Sequence, residues 1–318
     1  MQPIIRPFTR SDSDYQAITL IGNTIFPDYP LTVEQLRFNE ASKDPKVRHA
    51  RFLLELDDVV VGMATYDQDI AAFHPQEFEV LILVLPEFEG KGFGQLLHAH
   101  TLEALKPFNP TTIRTHTRED FTRAVRFIEK QGFSEEMKEW ESRLNPQAAN
   151  LASFKETYEK VCESGVVITS LAELSKTTDD WQQQLYELDW EVTLDIPTTG
   201  TPTKCSFEHF TKSTLQNPDL LLEGWFIAIK DGEWIGESAL WKSAAEPNLY
   251  VGVTGVRRAF RKQGIARALK YTAVLYAKDA GYTCIKTWNE EHNQGMLEIN
   301  TALGFEKVPA WIYYKKEV

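Results

Sequence analysis

The sequence predicts an α/β (α+β) protein built from two consecutive copies of one domain, each a mixed, mostly antiparallel sheet flanked by helices. Three observations predict it. Gly92, Ile113, Thr115, Gly132 and Phe133 recur as Gly264, Ile285, Thr287, Gly304 and Phe305, all at an offset of 172 residues. The run Phe52 to Gly62 matches Phe226 to Gly236 at an offset of 174. Within each copy, strand patterns then alternate with helical ones in the same order. The 318 residues suit about two domains of ordinary size. The boundaries fall at 1–146 and 147–318, with 147–163 as a connecting helix.

Each copy opens with about fifty residues of mainly helical or irregular sequence. A hairpin follows: Phe52 to Leu56 and Val59 to Ala64 flank Asp57-Asp58, and Phe226 to Ile229 with Trp234 to Gly236 flank Asp231-Gly232. Aspartate and glycine at the two turn positions tolerate the positive φ that a tight hairpin needs. An apolar strand comes next, Val80 to Leu85 or Tyr250 to Val256, and runs into a glycine turn and a helix. In the second copy Ile265, Leu269, Thr272, Ala273 and Tyr276 fall at helical spacing, one buried face. A further strand, Thr111 to Thr117 or Thr283 to Asn289, leads to a helix stopped by Gly132 or Gly304, where a left-handed residue is needed. Residues 151–163 read as the connecting helix, and Val166-Val167-Ile168 begins the second sheet.

Composition narrows the function. Apolar residues make up 42% and charged residues 25%, the balance of a globular chain with a real core. The net charge of −12 is the wrong sign for binding nucleic acid through its phosphates, so no nucleic-acid partner is expected. Cys162, Cys205 and Cys284 are widely spaced and form no C-x-x-C pair, as expected of free thiols in a reducing compartment. Residues 1–14 carry Arg6, Arg10, Asp12 and Asp14 and lack a long apolar run, so no signal peptide is expected. No run approaches the ~20 apolar residues of a membrane span. A cytoplasmic protein with no membrane partner is the expectation.

The glycine turns carry the chemistry. A strand that ends in a glycine turn and opens a helix presents unpaired N–H groups and the positive end of a helix dipole, which suits phosphate oxygens. The second copy places Arg261-Lys262-Gln263-Gly264-Ile265-Ala266 there, with Arg257 and Arg258 upstream and Arg267 after, a basic island in an acidic chain. A P-loop needs Ser or Thr after glycine-lysine, but Gly90-Lys91 is followed by Gly92. The dinucleotide fingerprint needs glycine where Gln95 stands.

Arg261-x-x-Gly264-x-Ala266 resembles the [Q/R]-x-x-G-x-[G/A] signature of the GNAT acetyltransferase superfamily. Asn289 to Phe305, with Asn293 and Leu303-Gly304-Phe305, is similar to the family's next motif, and Val84-x-Pro86 through Gly94 repeats the strand, turn and helix in the first copy. The resemblance spans nearly the whole chain as a tandem pair. It implies an acetyl-CoA site and no metal. The diphosphate would rest on the backbone of Gln263, Gly264, Ile265, Ala266 and Arg267, beside Arg261 and Lys262. Pantetheine would pair with Thr254, Gly255 and Val256 at a splay opened by a β-bulge, with Asn293 bonding the arm. An N–H near Val256 would serve an oxyanion role. An amine of a small molecule or peptide would attack directly.

The copies depart from this pattern differently. The first has Glu89 in place of Gln or Arg and Phe121 in place of Asn293, so it is read as degenerate and the second as active; Val84, Gly90, Gly92 and Gly94 are its weaker cofactor positions. The tyrosine that many members place four residues before Gly-Phe is Asn300 in one copy and Ile128 in the other. Tyr313 or Tyr314 can stand in for it. Glu79 lies one residue out of register with a glutamate the family often uses as base, and Tyr250 takes that place in the second copy. Glu191 and Asp195 lie in the region that covers the acceptor, either holding a cationic amine or belonging to a solvated loop. Trp241 and Trp288 read as core or as pocket wall. His98 and His100 are two apart on a helix and do not face each other, so they make no metal site. His292, beside Asn293, reads as an exposed turn residue more than as a base. An acyltransferase for another acyl-CoA or a hydroxyl acceptor, a transferase of aminoacyl groups from tRNA, and a non-catalytic CoA-binding protein are the rivals. The charge and the intact Arg261 loop argue against the tRNA reading.

Overall fold

The computed structural model describes residues 2–243 and 247–318, and these form two compact units. Unit 1 comprises residues up to Met137 with Thr199–Cys205 and Ile312–Val318; unit 2 comprises Lys138–Thr198 and Ser206–Trp311. The elements in chain order begin with β1 (Ile4–Pro7), α1 (Asp12–Ile25), α2 (Val33–Ser42), β2 (Ala50–Leu56), β3 (Val59–Asp67) and β4 (Glu77–Val84). Then come α3 (Phe93–Leu105), β5 (Thr112–Arg118), α4 (Thr122–Lys130), β6 (Ser134–Leu144), α5 (Ala152–Glu163) and β7 (Val166–Ser170). Next are α6 (Leu171–Thr177), α7 (Trp181–Thr193), α8 (Phe207–Phe210), β8 (Leu220–Lys230), β9 (Glu233–Lys242) and β10 (Asn248–Val256). The chain finishes with α9 (Ile265–Asp279), β11 (Cys284–Glu290), α10 (Gln294–Leu303), β12 (Glu306–Lys307) and β13 (Trp311–Glu317).

Unit 1 orders its strands β1-β2-β3-β4-β5-β13. The β1–β2, β2–β3 and β3–β4 pairs are antiparallel, and β4 runs parallel to β5. Its sheet is buried on both faces. Phe52, Phe78, Leu105, Ile113 and Phe133 fill one side, while Leu53, Met63 and Leu83 alternate to the other and meet Tyr15, Ile18 and Ile21 of α1. Unit 2 orders its strands β6-β11-β10-β9-β8-β7, with β12 on β6. Phe226, Leu240, Leu249, Leu269 and Val274 build its core beneath α9, and Phe154 and Val161 of α5 join them. The C-terminal strand therefore completes the sheet of unit 1, a crossing that a single cut at residue 146 does not describe.

Turn chemistry explains the hairpins. Asp57 and Asp58 have φ of 50° and 64°, and Asp231 and Gly232 have 51° and 83°, the positive pair a two-residue loop requires. Each hairpin carries a register shift at the same place, Leu54/Glu55 and Ala228/Ile229. Behind each, a glycine lets the next strand and helix approach. A Cβ on Gly62 would lie 3.0 Å from the Leu83 carbonyl oxygen, and one on Gly236 would lie 2.8 Å from that of Gly255. The helix ends follow the sequence as well. Ser11 caps α1, Thr32 and Gln35 form a capping box on α2, and Gly304 ends α10 at φ 99°.

Candidate active site

In unit 1, β4 and β5 run parallel for three residue pairs, ending at Glu79 with Arg114, and then part. The gap is a cavity of about 400 Å³. Val80–Val84 and Thr115–Thr117 form its walls, and Gly90, Gly92, Gly94 and His98 close one end. Gly92 adopts φ 85° as the N-cap of α3, and no side chain caps that helix. A Cβ at Gly90 or Gly92 would meet nothing within 4 Å, so the backbone there is open to a ligand. Glu89 is paired with Arg123 at 2.5 Å, which offsets the negative charge beside the turn. Lys130 and Arg123 add positive charge to the lining. Phe121, in the place of Asn293, stacks on Phe26 at 5.6 Å, and both rings line the cavity.

At the apex of the gap, Glu79 and His116 lie 2.6 Å apart through Oε1 and Nδ1. Burial opposes the Glu79 charge, but the His116 hydrogen bond and Arg114 outweigh it and hold the carboxyl below its usual range. An ionised Glu79 only accepts, so Nδ1 of His116 is the donor. Tyr313 of β13 packs its ring 5.5 Å from the imidazole. Two positions singled out in the sequence, Glu79 and Tyr313, thus meet around His116, which lines the cavity and was not expected. His98, set aside in the sequence as no metal ligand, also lines the cavity. It is 5% exposed, its Nε2 has no hydrogen-bond partner among the described residues, and burial followed by Lys316 lowers its pKa.

The corresponding turn in unit 2 has a different environment. β10 and β11 part after Tyr250 and Lys286, and β10 carries a bulge between Val251 and Thr254, beside Gly255 and Val256. Gly264 N-caps α9 at φ 82°, and Lys262 also has positive φ. Here α5 covers the turn: a Cβ on Gly264 would lie 2.9 Å from Cγ2 of Thr157. The basic island is largely engaged by the protein. Arg261 donates through Nε to the Val256 carbonyl at 2.9 Å and also pairs with Asp195. Arg258 pairs with Asp195 at 2.5 Å, and Arg257 with Glu191 at 3.0 Å and Glu233 at 2.6 Å. Arg267 lies 3.9 Å above the ring of Phe154. Hydrogen bonds from Arg258 and Arg261 hold the Asp195 carboxyl at about 2. Glu191 and Asp195, expected near an acceptor, are therefore committed to the arginines of the loop.

The remaining sequence candidates of unit 2 are engaged locally. Asn293 turns its side chain to the Met296 N–H at 3.4 Å and caps α10. Asn300 is 2% exposed and donates to Asn289 at 2.7 Å. Tyr250 packs its ring 5.9 Å from Trp288. Lys270 occupies the repeat position of His98 and is 2% exposed; among the described residues its Nζ has no hydrogen-bond partner, although it lies 5.8 Å from the centre of the Phe305 ring, and burial drops its pKa to about 7. Among the described residues Glu290, Glu291 and His292 group their ligand atoms within 4.8 Å at the surface, where His292 is already paired to Glu290. No described helix is long and apolar enough to cross a membrane.

The sequence profile of the acetyltransferase (GNAT) family matches residues 16–133 and again residues 183–305. No curated protein sequence matches the chain. Among solved structures it is similar to a tandem GNAT protein from the clavulanic acid biosynthesis pathway. The identity is 17% and the TM-score 0.76, covering 99% of this chain and 98% of that one. It is also similar to a GCN5-related N-acetyltransferase from Sphaerobacter thermophilus, at 20% identity and a TM-score of 0.68, covering 99% and 95%. These two likenesses carry the fold.

Proposed function

Since the chain belongs to the acetyltransferase (GNAT) family, with that domain present twice, we propose that it transfers an acetyl group from acetyl-CoA to a primary amine of a small molecule or peptide. The observation that carries this reading is the open gap between β4 and β5, which ends on the uncapped start of α3. The N–H groups from Gly92 to Gln95, at the uncapped start of α3, suit the diphosphate. The unpaired edge of Val80–Val84 suits the pantetheine amides, which would bond it as an added strand.

The Glu79–His116 pair supplies the base. The amine nitrogen attacks the thioester carbon, a C–N bond forms as the C–S bond breaks, and the amine proton passes to the pair. The departing thiolate, with a reference pKa of about 8.5, takes a proton with little acid help. His116→Asn should lower kcat by about 10²-fold and leave acetyl-CoA affinity unchanged, read as thiol release over a panel of amines. Wild-type turnover in that variant would sink the assignment of the base.

A second reading places the donor on unit 2, with the arm on Thr254, Gly255 and Val256 and the diphosphate on the turn from Arg261 to Arg267. The β10 bulge favours it, because a bulge frees a backbone N–H for an oxyanion. The Thr157 cover and the Arg261–Asp195 pair weigh against it. The three free cysteines suit a reducing, cytoplasmic setting.

A further inference from the structure

His98 on α3 is out of keeping with its surroundings. Its ring makes edge contacts with Phe127 and Phe133, at 6.1 Å and 6.3 Å between centroids. A leucine would suit such a slot, whereas an imidazole brings a polar nitrogen that must be matched or left unsatisfied. Among the described residues Nε2 finds no hydrogen-bond partner, and the residue is 5% exposed. Lys316 of β13, whose charge acts on the imidazole, donates instead to the Gln131 carbonyl at 2.8 Å. The cavity supplies the missing side. His98 lines it together with Gly90, Gly92, Gly94 and Gln95. Gly94 lies four residues earlier on the same side of α3, about 6 Å nearer the helix start. The imidazole therefore stands one turn inward of the N–H groups that suit a diphosphate.

We propose that His98 recognises the arm of coenzyme A, its Nε2 pairing with the first polar groups beyond the diphosphate, the hydroxyl and amide carbonyl of the pantoyl unit. This rests on the reading of the unit 1 cavity as the donor site. Only a short branched stretch of carbon separates the diphosphate from that hydroxyl, and its methyl groups suit a slot walled by Phe127 and Phe133. A phosphate alone would be served by the backbone at the start of α3. An orphaned nitrogen one turn further in calls for a neutral polar group instead.

The protonation state fits this role. Burial first and Lys316 second hold the His98 pKa below its usual value, so the ring is neutral at pH 7.5. A neutral imidazole offers one donor and one acceptor. According to tautomer, Nε2 donates to the carbonyl or accepts from the hydroxyl. The side chain thus acts on donor affinity and leaves the amine chemistry to Glu79 and His116.

The test is titration calorimetry on the full chain at pH 7.5 with three probes: coenzyme A, phosphopantetheine, which keeps the arm, and ADP, which lacks it. His98→Leu should weaken coenzyme A and phosphopantetheine roughly tenfold and leave ADP unchanged. A glutamine amide nitrogen reaches about as far as Nε2, so His98→Gln should recover most of the affinity. In nitrogen–proton NMR of the imidazoles, the His98 Nε2 signal should move when coenzyme A saturates the wild type. A signal that stays in place overturns the proposal, however the variants fold. Coenzyme A affinity unchanged in His98→Leu but lost in Gly92→Asp overturns it too, and leaves the donor site standing. Equal losses for ADP and coenzyme A would mark a general disturbance of the cavity and count against it as well. Absence of coenzyme A binding to the wild type overturns this inference and the donor reading together.

Discussion

At the scale of single residues, the two copies differ at a buried polar position within the helix that follows the glycine turn. His98 in one copy and Lys270 in the other occupy the same repeat position, and among the described residues neither His98 Nε2 nor Lys270 Nζ has a hydrogen-bond partner. The Lys270 amine, depressed to about 7 by burial, is largely neutral when folded at pH 8 but protonated when unfolded. The unfolded chain therefore binds more protons between about pH 7 and 10.5, and stability rises with pH across that window. Lys270→Met keeps the volume and removes this term. The variant should be about 2–4 kcal/mol more stable at pH 7, and urea titrations should lose the alkaline gain. A variant no more stable than wild type would show that the amine finds a partner. His116 illustrates what the sequence hides at this scale. It aligns with Trp288 of the other copy, a difference that marks the site only once β4 and β5 are known to be adjacent in parallel register.

Among elements, those that local chemistry dictates were the most legible. Aspartate and glycine turns, glycine helix stops and the alternation of strands predicted both hairpins and the strand–turn–helix units, because each rests on a few adjacent residues. The first strand was not foreseen. It is tied to α1 through Arg6, which pairs with Asp14 at 2.7 Å, while Thr9 donates to the same carboxylate through N–H and hydroxyl. The Arg6 hydrogen bond, opposed by burial and helped by Thr9, lowers Asp14 to about 2. This stabilisation is present above the ordinary value near 4 and is lost as pH falls toward 2. Asp14→Asn should cost about 2 kcal/mol at pH 7 and flatten acid unfolding between pH 4 and 2. An unchanged acid limb in that variant would mean other carboxylates control it. The cover over Gly264 was likewise illegible, since Thr157, Asp195 and Gly264 meet only through tertiary packing.

For the whole molecule, the duplication was plain in the sequence because glycine, turn and core positions repeat at a near-constant offset. The assignment of strands to units was not. β13 belongs with unit 1 and most of β6 with unit 2, and amphipathic strands of similar composition carry no mark of which sheet they will join. The preference for the second copy rested on Arg261 against Glu89. That comparison weighs the charge of one side chain, whereas access to the backbone depends on what packs over the turn. Titration calorimetry with acetyl-CoA on the wild type, Gly92→Asp and Gly264→Asp tests the central claim most directly. One site per chain is predicted, abolished by Gly92→Asp and retained in Gly264→Asp. Binding that survives Gly92→Asp and disappears with Gly264→Asp would contradict the account and move the acyl donor to the second turn.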